Sequence, residues 1–161
     1  MSLLRIGAGV EMTGDRLFAH RVRRLVGISA VALGVIWGLA YADGGPGWVL
    51  ALLAIGWAVM PVVLGLSLRR PIARYALVLP ASAVPVGLIG MVAAAPEATV
   101  TGWVIVTAGI LLGGFLGLWF WFRWLPVPRI LDDPFGWPRM VLVGLHTALV
   151  FVGAVMVGAG L

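Results

Sequence analysis

Residues 43–74 read DGGPGWVLALLAIGWAVMPVVLGLSLRRPIAR, and the fold follows from them. They open on Asp43-Gly44-Gly45-Pro46, turn-forming residues in a segment too short to do more than reverse the chain. An uncharged apolar run follows over 47–68. As a helix it reaches roughly 33 Å, enough to cross a hydrocarbon layer about 30 Å thick. It ends against Arg69, Arg70, Pro71 and Arg74. An acidic turn, a membrane-length helix and a basic connector in succession mark a span of fixed orientation, because short retained loops keep Arg and short exported loops shed it.

The same alternation runs through the chain. Apolar runs over 25–42, 47–68, 75–95, 101–122 and 138–161 each hold about 18 to 24 residues, the length a membrane helix requires. All eleven basic residues are Arg. They lie before the first run, in the connector before the third, and in the segment 123–139. The connectors holding Asp43 and Pro96-Glu97 carry only acid. The sequence therefore reads as an all-α, polytopic integral membrane protein: one domain over 1–161, a bundle of five transmembrane helices, N-terminus inside and C-terminus outside.

Composition agrees with a bilayer. Hydrophobic residues make up 62% of the chain and charged ones 11%, with a mean hydropathy of +1.11. A soluble domain carries about a quarter of its residues charged. A net charge of +5 would suit nucleic acid, but the Arg are dispersed among short segments and form no continuous basic face, so no nucleic-acid partner is expected. Membrane lipids are the expected partner, their anionic head groups meeting Arg21, Arg23, Arg24, Arg69, Arg70, Arg123 and Arg129. With no Cys there is neither a disulfide nor a thiolate metal site. Eleven Arg without a Lys point to GC-rich coding, hence a prokaryotic cell membrane.

Residues 1–24 form a cytoplasmic segment. Within it, 13–24 read as a short interfacial helix, with Thr13 as its cap and Asp15 in its first turn. Leu17, Phe18, Val22 and Leu25 fall on one side and Arg16, His20, Arg23 and Arg24 on the other, with Arg21 interrupting the apolar face. A plain basic flank to the first span is the alternative. No cleavable leader pattern precedes the first run, and Met12 is an alternative start to Met1. Tyr41, Trp48 and Trp103 stand where anchors at the outer interface belong, and Trp119, Trp121, Trp124 and Trp137 where inner ones do. A stacking site with Arg123 or Arg129 is the other reading of that inner cluster.

Three features bear on function. Gly109, Gly113 and Gly117 form a stripe on the fourth helix, Gly34 and Gly38 repeat the spacing on the first, and Ala154 with Gly158 on the fifth. Small residues let helix backbones approach closely, either within the bundle, in a homo-oligomer or in a larger membrane complex. Pro80 and Pro85 each remove a backbone hydrogen bond from the third helix. His146 lies about 12 Å along the fifth helix from Pro138, near mid-membrane, and is either a structural hydrogen-bonder or part of a polar path. Asp132-Asp133 before Pro134 fit a turn better than a metal site, since no further acids stand at metal-binding spacing. No nucleophile–base pair, phosphate loop, metal site or cofactor motif is present. The chain is thus expected to be a non-enzymatic accessory or self-associating subunit packing through glycine-rich faces. The alternative is a small transporter or channel with a path near Pro80, Pro85 and His146.

Overall fold

The computed structural model describes residues 23–24, 26–67, 71–122 and 137–161. They are helical with short turns, and there is no strand among them. Five helices follow in order: α1 (Val26–Ala42), α2 (Gly47–Ser67), α3 (Val78–Ala94), α4 (Val100–Phe122) and α5 (Trp137–Gly158). Three stretches, Gly47–Leu66, Tyr75–Ala94 and Met140–Gly158, are long and apolar enough to cross a membrane. Val26–Ala42 and Val100–Gly114 are apolar but shorter. The interfacial helix expected over 13–24 lies outside the described residues except at its end, where Arg23 and Arg24 are helical and exposed.

The third helix begins differently from its expected bounds. Pro71–Leu77 winds as a 3-10 helix before the α-helical stretch starts at Val78. Pro80 then stands in the first α-turn, where backbone N–H groups have no partner within the helix, so its missing donor costs least there. Pro85 has no such shelter. Beside it the Ser82 hydroxyl donates to the Val78 carbonyl and lies 3.4 Å from that of Leu79, a side-chain bond inside a helix whose regular ladder proline breaks.

The turn between α1 and α2 is closed by backbone geometry. Gly44 sits at φ +76°, a left-handed conformation that favours glycine, while the Gly45 N–H donates to the Ala40 carbonyl at 2.8 Å and the Gly44 N–H to Tyr41 at 3.2 Å. Pro46 follows and prevents continuation. Gly160 ends α5 in the same manner, at φ +73° with the Leu161 N–H on the Met156 carbonyl at 2.9 Å.

Packing is set by missing side chains. A Cβ on Gly109 would stand 2.9 Å from the Val150 backbone nitrogen, and one on Gly153 would stand 2.7 Å from both the Gly102 carbonyl oxygen and the Val106 nitrogen. The backbones of α4 and α5 therefore touch, a separation open only to glycine. Between α2 and α3 the fit is side chain into glycine: Val84 fills the space over Gly56, Leu53 that over Gly87, and the Trp48 ring that over Gly90. The main core joins α1, α2, α3, α4 and α5 through Ile36, Ala40, Leu53, Val84, Leu88, Met91, Trp103, Val106 and Val157. A second cluster of Val63, Leu64 and Leu77, with Val26 against it, closes the opposite end.

Two neighbouring glycines separate close packing from helix propensity. Nothing lies within 4 Å of a Cβ on Gly114, whereas one on Gly109 would overlap α5. Gly109→Leu is expected to cost about 1–3 kcal/mol or prevent folding, and Gly114→Leu to be neutral or slightly stabilising. Thermal unfolding of both variants in the same detergent measures the difference.

Candidate functional site

Polar side chains are scarce in the helices, so each one's partner matters. His146 is half-buried on α5, and its Nδ1 lies 2.6 Å from the Gly109 carbonyl oxygen of α4. A carbonyl only accepts, so Nδ1 carries the proton. The imidazole lies over Gly113, where a Cβ would overlap Cε1, Nδ1 and Nε2. Gly109 thus supplies the acceptor and Gly113 the space. The stripe expected on the fourth helix serves α5 of the same chain at both positions.

Other sequence candidates fall elsewhere. Pro80 is buried and Pro85 half-buried on α3, the helix packed against α2, whereas His146 is engaged with α4. A Cβ on Gly34 would stand 3.3 Å from the Trp57 indole, and one on Gly38 would have nothing within 4 Å. Gly117 lies within α4. Of the Ala154–Gly158 pair, a Cβ on Gly158 would stand in ordinary contact with Leu39 of α1, at 3.7 Å. Arg23 and Arg24 are exposed at the start of α1; Arg21, Arg69, Arg70, Arg123, Arg129, Asp132 and Asp133 lie outside the described residues.

Two tryptophans of the first hairpin exchange bonds. Trp37 Nε1 on α1 donates to the Leu50 carbonyl of α2 at 3.1 Å, and Trp57 Nε1 on α2 donates to the Ala30 carbonyl of α1 at 2.9 Å. Their rings stack with centroids 6.4 Å apart, and Tyr41 stacks on Trp37 at 5.7 Å. With Ala30, Val31, Gly34, Val35 and Gly38 the two indoles border a shallow apolar groove of about 610 Å³. Both polar atoms of the indoles are already used, so the groove offers ring faces and small residues.

The most constrained polar cluster was not among the sequence candidates. Asp43 Oδ2, in the turn after α1, accepts from Thr99 Oγ1 at 2.7 Å and from Trp103 Nε1 at 2.8 Å. Thr99 is 4% exposed and Trp103 0%. The reading of Trp103 as a head-group anchor is therefore corrected: its ring is enclosed by protein and its N–H is spent on a carboxylate. Trp48 and Tyr41 do remain open, at 54% and 66% exposed. Both donors stand at the start of α4, where an adjacent carboxylate is also favoured by the helix dipole. A Trp four residues beyond a Thr, matched to an acid in a preceding turn, was the available signal, but sequence alone does not say which turns meet.

Among the described residues no three His, Cys, Asp or Glu side chains gather as a metal site would need. Comparison with protein-family models, with characterised proteins and with solved structures finds no match to this chain.

Removing the carboxylate should expose the value of the cluster. Asp43→Ala leaves two buried donors without an acceptor and is expected to cost about 2–5 kcal/mol, while Asp43→Asn keeps an acceptor oxygen and costs about 1 kcal/mol less than that or lower still. His146→Gln should lose on the order of 1 kcal/mol, because an amide N–H can replace the bond to Gly109. Denaturation curves of the three variants, read beside the parent chain, test the ranking.

Proposed function

We propose that this chain is a five-span membrane protein of a prokaryotic cell membrane, N-terminus inside and C-terminus outside, acting as a non-enzymatic subunit. The carrying observation is how its polar groups are used. His146 is bonded to Gly109, Thr107 to the Trp103 carbonyl, Thr147 to the Val143 carbonyl and Ser82 to the Val78 carbonyl, so each serves the fold. A solute path needs polar groups turned toward a cavity. The described groove instead lies between α1 and α2 and is apolar.

The orientation is supported by which chain ends share a side. Asp43 reaches Thr99, so the two connectors that carry only acid lie together, and Val157 packs beside Gly102 at that same end. Val26 packs with Val63 and Leu77 at the other, which is the end of Arg23 and Arg24. One end is thus acidic and the other basic, as retention of Arg on the inner side requires. Arg there would meet anionic head groups.

A subunit needs a face to offer. Gly102, Gly109 and Gly113 of α4 are occupied by α5, whereas Gly38 of α1 is open with exposed Val31 and Val35 on the same side, and it is the glycine face for a second copy or a partner helix.

Because the chain has no Cys, single-cysteine variants report without background. Glu97→Cys should react with an impermeant maleimide from outside, and Arg70→Cys and Arg129→Cys only after permeabilisation; outside labelling of either Arg position rejects the orientation. Val35→Cys should cross-link to a neighbouring helix in membranes whereas Val155→Cys, exposed on α5, should not. Solute flux through purified protein in liposomes, lost in a folded His146→Leu variant, would replace the subunit reading with a transporter.

A further inference from the structure

The Asp43 cluster holds a second arrangement that the observed one conceals. Thr99 Oγ1 lies 2.7 Å from Asp43 Oδ2 and 3.4 Å from the Pro96 carbonyl oxygen. A hydroxyl has one proton and two lone pairs. With Asp43 ionised, its proton goes to the carboxylate, and the Pro96 carbonyl is left to the backbone N–H groups of Thr99 and Val100, each at 3.0 Å. A proton taken from water onto Oδ1 leaves Oδ2 a neutral carbonyl oxygen that keeps both donors. A proton on Oδ2 instead reverses the direction, so that the carboxyl O–H donates to Thr99 Oγ1 and the Thr99 proton turns toward Pro96. The Trp103 indole N–H is then left against a neutral oxygen instead of a charged one, and bonds to ionised acceptors are about twice as strong as neutral ones.

We propose that Asp43, Thr99 and Trp103 form an acid-released latch between the α1–α2 turn and the start of α4. Under the orientation proposed above, this end faces outside, where a cell does not control pH; the latch chemistry itself is independent of that orientation. The groups able to compete with it are few. Tyr41 stands on α1 and Glu97 on the connector before α4, while the adjoining ends of α2, α3, α4 and α5 carry no His, Lys, Arg, Asp or Glu among the described residues. Glu97 is exposed, with its side chain in solvent. Protonation therefore acts on one carboxylate that holds two buried donors, with no cation nearby to hold its charge in place.

The tryptophans provide the measurement. Trp37 and Trp57 donate to backbone carbonyls, which do not titrate, and Trp103 donates to Asp43. In ¹⁵N-labelled protein in micelles, each indole N–H gives its own signal. Protonation of Asp43 on acidification should shift the Trp103 signal in a single step while those of Trp37 and Trp57 stay in place. The step should vanish in Asp43→Asn and persist in Glu97→Gln. Trp103→Phe assigns the signal; where that variant does not fold, its altered position in Asp43→Asn does so. Hydrogen exchange of the Thr99–Trp103 amides, corrected for intrinsic rate, should rise several-fold in the acid form. The proposal is overturned by a Trp103 signal that stays fixed in folded protein, by a step that survives Asp43→Asn or depends on Glu97, or by all indole signals collapsing together, which would be global unfolding.

Discussion

Direct backbone contact between α4 and α5 is the constraint on which the other arrangements rest. At Gly109 and Gly153 the two helices meet so closely that a single Cβ would overlap main-chain atoms of the other, and at Gly102 one would overlap the Val157 side chain. Between apolar helices in lipid there is little hydrophobic drive to associate, so contact area and close approach must supply the attraction. Once α5 is seated this way, the His146 ring comes over Gly113 and within reach of the Gly109 carbonyl. Val157 is brought into the main core with Trp103 and Val106, close against Gly102, and Gly158 comes to face Leu39 of α1.

A second economy concerns polar atoms. Away from water an unpaired donor is costly, and this chain has few side chains that could pair with one another. It turns them to backbone oxygens instead: Trp37 to Leu50, Trp57 to Ala30, His146 to Gly109, and the hydroxyls of Thr107 and Thr147 to their own helices. Carbonyls have a spare lone pair after the helix has used one, so these bonds fix helix rotation without breaking the ladder. The Asp43 cluster departs from this pattern. It joins side chain to side chain, and it is the one place among these where charge enters the tie.

Much of this was legible from the sequence. Chain reversal at Asp43-Gly44-Gly45-Pro46 follows from residue type, and the apolar runs give five helices whose ends match within a few residues, three of them long and apolar enough to cross a membrane. The α4 spacing also announced a close contact. Which helix would fill it was not legible, since GxxxG states a permitted distance and names no partner. The working glycines of α2, α3 and α5 went unread for a different reason: Gly56, Gly90 and Gly153 act singly or in looser spacings that resemble the background of 23 glycines. The 3-10 start over Pro71–Leu77 reflects Pro80 a turn ahead, an interaction weaker than periodicity can register. Trp103 misled because an indole at a helix start is usually an interface residue, and only the meeting of two turns distant in sequence encloses it.

The exchanged tryptophan bonds have a consequence for the order in which the protein is made. They link residues 13 and 27 positions apart, so every atom of that fastening is present once Trp57 has been synthesised. The Asp43 ties span 56 and 60 positions and must wait for α4. Loop-closure cost rises with separation, so local fastenings form first. During ribosomal synthesis, α1 and α2 can be clasped as a hairpin before the later helices are made, presenting Asp43 at its tip as an unfilled acceptor. The arrival of Thr99 and Trp103 then completes it, which makes the first hairpin the template against which the later helices are placed.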